Sequence, residues 1–148
     1  LTAIDAAIGG TSGILIQFPL YFGIMGIMSG TGLVEALSMA MVRLSTPETF
    51  ELWTVLSAGI VNVFVPSGGG QWAVQGPLLI RAALDLGVPL DRTILAMAYG
   101  DELTNMLQPF WALPLLGITG LAAKDILPYT VRFLAVGLAT CLILTVLC

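Results

Sequence analysis

Along the chain, apolar positions run in long blocks and polar ones gather in a few short clusters. Residues 13–28, GILIQFPLYFGIMGIM, are uncharged and hold Gln17 and Pro19. With residues 8–12 in front they are long enough to span a bilayer, for which about 20 residues suffice. Gly26 and Gly30 make a small-xxx-small step of the kind that packs helices closely. Residues 31–44, TGLVEALSMAMVRL, are patterned differently. Leu33, Val34, Leu37, Met41 and Leu44 share one helical face, and Glu35 and Arg43 break the apolar run. The stretch is too short and too polar to span, so it predicts an amphipathic helix lying in the interface. Ser45-Thr46-Pro47-Glu48 then reads as a helix start: a cap residue, a first-turn proline and an acid near the positive dipole end.

No charge falls between Glu51 and Arg81, yet VPSGGGQWAVQGP, residues 65–77, divides that window. Each glycine costs a helix interior about 1 kcal/mol and proline more. The arms are residues 52–65 and 71–80; the first is about 21 Å long as helix, short of the roughly 30 Å hydrocarbon core. Two shapes fit, a re-entrant hairpin with PSGGG at its tip and one crossing helix interrupted there. Pro66 with three glycines suits a sharp reversal better than a kink, which favours the hairpin. Residues 81–92, RAALDLGVPLDR, form a polar connection punctuated by Gly87 and Pro89. A half-length apolar run follows at 93–100, then DELTNMLQP at 101–109, then FWALPLLGITGLAA. The last span runs from 126 to 148.

A plain span over 103–123, with Asp101 and Glu102 at the interface, is one reading of that region. It leaves 93–100 as an orphan half-helix and puts Asn105, Gln108, Pro109 and Pro114 inside the span. A discontinuous helix accounts for both.

Composition places these blocks in a membrane. Of the 148 residues 57% are hydrophobic and 9% charged, with mean hydropathy +0.99; soluble domains carry about 25% charged residues. The net charge of −4 includes no basic cluster for nucleic acid. Histidine is absent, and with it the commonest general base and metal ligand. No GxSxG, GxxxxGK[ST], HExxH or CxxC occurs, so an enzyme is not expected. Cys141 and Cys148 sit on one apolar segment, where packing is their role. Arg43, Arg81 and Arg92 stand against Lys124 and Arg132 across the membrane, a difference too small to set orientation.

The two breaks carry the candidate chemistry. At the tip, the bland alternative is a surface loop. At depth and shielded by protein, a helix starting near Gly70-Gln71 presents free N–H groups and a partial positive charge, an anion site without arginine. Ser67, Gly68, Gly69, Gly70 and Gln71 would receive a carboxylate, Gln75 adds an amide, and Trp72 an apolar wall for a short tail. At the second break, two carboxylates at the bilayer centre would cost roughly 5–7 kcal/mol. Asp101, Thr104, Asn105 and Gln108 supply acid, hydroxyl and amide oxygens for a cation, with Thr104 and Asn105 placed for Na+. Paired broken helices are the pattern of secondary transporters.

VNVFVPSGGGQWAVQGP, ILAMAYGDELTNMLQPFWALPLLGITG and QFPLYFGIMGIM together resemble the bacterial short-chain fatty acid transporter family, across essentially the whole chain. The resemblance implies an all-α integral membrane fold of the ion-transporter superfamily, of which this chain is one inverted-repeat half and the C-terminal third of a longer protein. It implies a scaffold transmembrane segment at 1–30, an arm helix at 31–46 and transport-domain parts at 47–148: hairpin 48–83, broken helix 93–123 and a last transmembrane helix 126–148. It further implies cation-coupled uptake of butyrate- or acetoacetate-like carboxylates at the bacterial inner membrane, with Na+ or H+ as coupling ion and no other cofactor. The partners implied are the lipid bilayer, the N-terminal part of the same protein and a second copy in a homodimer. Many relatives place an asparagine beside the tip serine, where this chain has Gly68. The rival expectation is a non-transporting membrane scaffold or assembly subunit that uses its glycines for packing.

Overall fold

A computed structural model describes residues 2–147, leaving aside the side chains of residues 2, 3, 6, 7, 10–12, 14, 109 and 145–147. Among the described residues every element is helical: α1 (Thr2–Gly30), α2 (Leu33–Leu44), α3 (Phe50–Phe64), α4 (Gly68–Leu86), α5 (Leu90–Asn105), a 3-10 turn (Pro109–Ala112), α6 (Leu113–Thr119) and α7 (Ala123–Leu147). Cys148 lies outside the described residues, and Cys141 is half-buried on α7.

The chain turns from α1 into α2 through Gly32, whose φ of 72° is costly for any residue with a Cβ. The two helices bend by 58° there. The amphipathic pattern of α2 resolves into packing against α3 and α4, with Val34 and Ser38 buried and Arg43 exposed.

The start expected at residues 45–48 comes later. Thr49 Oγ1 accepts from the Thr46 N–H at 2.9 Å and holds residues 46–49 as a turn, so that α3 begins at Phe50. α4 begins two residues earlier than expected, at Gly68, and takes in all three glycines. A first turn has little to lose from glycine, because its N–H groups lack helical partners anyway. Ser67 caps it, its hydroxyl accepting from the Gly70 N–H. The polar connection is correspondingly shorter. α4 runs on to Leu86 and ends on Gly87, φ 71°, where the Val88 N–H bonds back to the Ala83 carbonyl and Pro89 prevents continuation.

α3 lies along α5 more extensively than any other pair. Glycine meets glycine at their crossing. A Cβ on Gly100 would run into the Val55 carbonyl and the Gly59 amide, and one on Gly59 would press on Thr104. Phe50, Ala58, Leu79, Ala82, Ala83 and Met97 form the apolar core that joins α3, α4 and α5.

Among the described residues one helix is long and apolar enough to cross a bilayer alone, α7 over Ala123–Leu144, 22 residues or about 33 Å. It touches α5, where Gly137 leaves room for Leu103.

Candidate functional site

Residues 65–67 link α3 to α4, and the start of α4 faces the end of α5. Asp101 makes the junction: its Oδ2 lies 3.1 Å from where a Cβ on Gly68 would be. Any side chain at Gly68 would displace that carboxylate.

Beneath the junction, Asn62 of α3 gathers the second cluster. Its Nδ2 donates toward the Asp101 carbonyl (2.8 Å), Thr104 Oγ1 (2.9 Å) and Asn105 Oδ1 (2.9 Å). Its own carbonyl accepts from Gln108 Nε2 at 2.9 Å. Thr104 Oγ1 donates to the Gly100 carbonyl, and Trp111 Nε1 to that of Asn105. Asp101, Thr104, Asn105 and Gln108, chosen from sequence as one set, thus converge on a single fully buried asparagine.

That asparagine was missed from sequence. The available signal was a lone amide in the apolar run VNVFV, because a buried amide without a partner is costly.

The tip residues divide. Ser67 is exposed, and its hydroxyl keeps its own hydrogen for a ligand after accepting from Gly70. The Gln71 N–H bonds to the Ser67 carbonyl, leaving those of Gly68 and Gly69 as the first-turn donors with no helical partner. The Gln71 and Gln75 side chains instead brace α4 against α3. Gln71 Nε2 donates to the Ala58 carbonyl and to Gln75 Oε1, both at 2.9 Å, and Gln75 Nε2 to Ser57 Oγ at 2.8 Å. Trp72 lies over Gly76 of its own helix, 38% exposed, and lines neither pocket at the tip.

Seven buried side-chain oxygens have no hydrogen-bond partner among the described residues; Glu35 Oε2, Ser38 Oγ and Thr54 Oγ1 lie on α2 and α3 away from the breaks, and Asn62 Oδ1, Gln71 Oε1, Asp101 Oδ1 and Gln108 Oε1 lie at them. The Asn62 amide cannot be turned round to relieve this, because its oxygen would then face the Asp101 carbonyl and Asn105 Oδ1. Each buried unmet acceptor costs about 1–3 kcal/mol. The four at the breaks are oxygens of amides and a carboxylate, the ligand types a cation takes.

Two pockets open beside these residues. One of about 330 Å³ lies against Glu102, Asn105, Met106, Gln108 and Trp111. The other, about 120 Å³, is apolar apart from Ser67 and a tyrosine hydroxyl, and is bounded by α1. Pro66 and Phe110 line both. Phe110 stacks on Phe18 and Tyr21, with ring centroids 4.6 and 4.3 Å apart, which fastens α1 to the segment after the break.

Comparison with known proteins supplies a family. Residues 1–147 match the family described as short chain fatty acid transporter. A protein of Escherichia coli (strain K12) is 44% identical over 134 residues, 90% of this chain and 30% of that protein. One of Haemophilus influenzae is 43% identical over 129 residues, 87% of this chain and 29% of its own length. Both are provisionally named short-chain fatty acid transporters. The chain spans less than a third of either relative. No solved structure matches it significantly. These are membrane transporters rather than enzymes, and the chain belongs to the short-chain fatty acid transporter family.

Proposed function

We propose that this chain forms part of a secondary transporter that takes up a short-chain carboxylate, such as butyrate or acetoacetate, together with Na+ or H+. The observation that carries the reading is the meeting of the two polar breaks, with Asp101 set against Gly68 at the first turn of α4. The substrate carboxylate binds where that turn offers the Gly68 and Gly69 N–H groups and the Ser67 hydroxyl.

The same geometry gives a reason for coupling. A substrate carboxylate at that turn stands beside Asp101, and two unit charges 4 Å apart repel by about 4 kcal/mol at an effective dielectric of 20. A cation or proton arriving with the substrate removes that repulsion. The unmet oxygens of Asn62, Asp101 and Gln108, with Thr104 and Asn105 beside them, are the groups that would hold a cation.

On this reading α3 and α4 form a re-entrant hairpin, α5 and α6 a discontinuous helix, and residues 1–30 a scaffold segment. The moving part is 47–148, with the arm at 31–46 between them. The N-terminal part of the same protein completes the site, and the transporter works as a homodimer in the bacterial inner membrane. The rival reading, a non-transporting scaffold, accounts for the glycine crossing of α3 and α5 but gives no role to the acid, hydroxyl and amide groups gathered where the two breaks meet.

The test is radiolabelled butyrate uptake into proteoliposomes of the full-length protein, with and without Na+ and pH gradients. Uptake should need one of the two gradients. Ser67→Ala and Asn105→Ala should each depress it while membrane insertion is kept. Full uptake by both variants, or uptake indifferent to either gradient, would refute the site.

A further inference from the structure

We infer that the pocket of about 120 Å³ between α1 and the α3–α4 link is the seat of the substrate's alkyl tail, and that its walls set the longest acid accepted. The inference rests on the transport reading and extends it to chain length.

The placement fits an amphipathic ligand. Ser67 belongs both to the polar tip and to the pocket. Met25 Sδ lies 3.3 Å from where a Cβ on Gly70 would be, so α1 presses directly on the first turn of α4. A carboxylate held by the Ser67 hydroxyl therefore has its tail within reach of the side chains of Phe18, Tyr21, Phe22 and Met25. Phe18 and Tyr21 meet Phe110 in tilted ring contacts and close the far wall. The larger pocket suits a tail less well, because Glu102, Asn105 and Gln108 line it.

Size then gives a limit. An apolar cavity of about 150 Å³ holds the six carbons of benzene, so the 120 Å³ here have room for roughly five. Beyond the carboxylate, butyrate has three carbons, hexanoate five and octanoate seven. Affinity should rise up to hexanoate, about fourfold per methylene, and octanoate should fall outside the limit.

Phe22 stands at the rim, 57% exposed, so Phe22→Ala widens the pocket with little risk to the fold. Met25→Ala widens it from the α4 side. Inhibition of butyrate uptake by unlabelled hexanoate and octanoate is measured in proteoliposomes of the full-length protein. In either variant octanoate should gain on butyrate by about sixteenfold, two methylenes' worth. A ratio within twofold of the unaltered protein in both variants would overturn the inference and leave transport standing. So would loss of uptake of every acid in both variants with membrane yield retained, since a tail wall trades one chain length for another. Failure of the parent reading looks different: the unaltered protein takes up no acid, and both proposals fall together.

Discussion

Asn62→Ala is the substitution that most directly tests how the two breaks are held together. The side chain is fully buried and donates toward three acceptors at 2.8–2.9 Å, all on the last turn of α5. Hydrogen bonds between transmembrane helices average about 0.6 kcal/mol each and reach at most about 1.7. The amide carries two N–H hydrogens to share among the three acceptors, so about 1.2 kcal/mol is at stake, with a ceiling near 3.4. About 1.2 kcal/mol is roughly an eightfold shift in an unfolding equilibrium. Asn62→Asp keeps the shape and separates packing from bonding, since it replaces the donor with oxygens that face three acceptors; it should cost more than the alanine. The assay is unfolding of the full-length protein in mixed detergent micelles, with butyrate uptake alongside. A loss under about 0.5 kcal/mol in Asn62→Ala with uptake unchanged, or an aspartate better tolerated than the alanine, would refute the role of Asn62 as the fastening between α3 and α5.

The remaining predictions are simpler. Gly100→Ala puts a methyl on the Val55 carbonyl and the Gly59 amide and should destabilise by at least 1–3 kcal/mol, about the usual cost of overpacking, whereas Gly69→Ala meets nothing within 4 Å and should retain yield and melting temperature. Ser67→Ala removes the cap on Gly70 and should cost about 0.5–2 kcal/mol; uptake should fall by more than its loss of folded protein explains, because a ligand donor goes too. Arg92→Gln unpairs Glu51, whose carboxylate lies 2.6 Å from the guanidinium with 13% of its side chain exposed; Arg92 itself is 40% exposed, so screening holds the loss to about 1 kcal/mol or less, and repeating the melt in 1 M salt should shrink it.

Both breaks were legible in the sequence because glycine and proline inside an apolar run weaken a helix, and amides there are costly unless they meet a partner. The residues of the second break were legible as a set for the same reason, and a single asparagine gathers them. Asn62 itself was hidden because one amide does not disturb the helical pattern around it. Trp72 follows Gln71 in sequence, but one step along a helix turns the side chain by about 100°. Gln71 and Gln75, four apart, share the face toward α3, and the indole falls on another. The wall supplied by Phe18, Tyr21 and Met25 was out of reach because it depends on α1 meeting residues more than forty positions further on, which periodicity does not encode. The ends of α3 and α4 moved because a threonine turn and a serine cap decide where a helix begins, and both are local bonds that hydropathy does not weigh.

The Gly59–Gly100 crossing has a mechanical consequence. Backbone comes close to backbone there, with only the small Ala58 and Thr104 side chains beside it, so a shift of even a fraction of a turn would drive carbonyl into amide. α3 and α5 are in effect welded at that point. On the transport reading, any rearrangement that carries Asp101 and the first turn of α4 from one face of the bilayer toward the other has to move both helices as a single piece, and the parting must occur outside this pair.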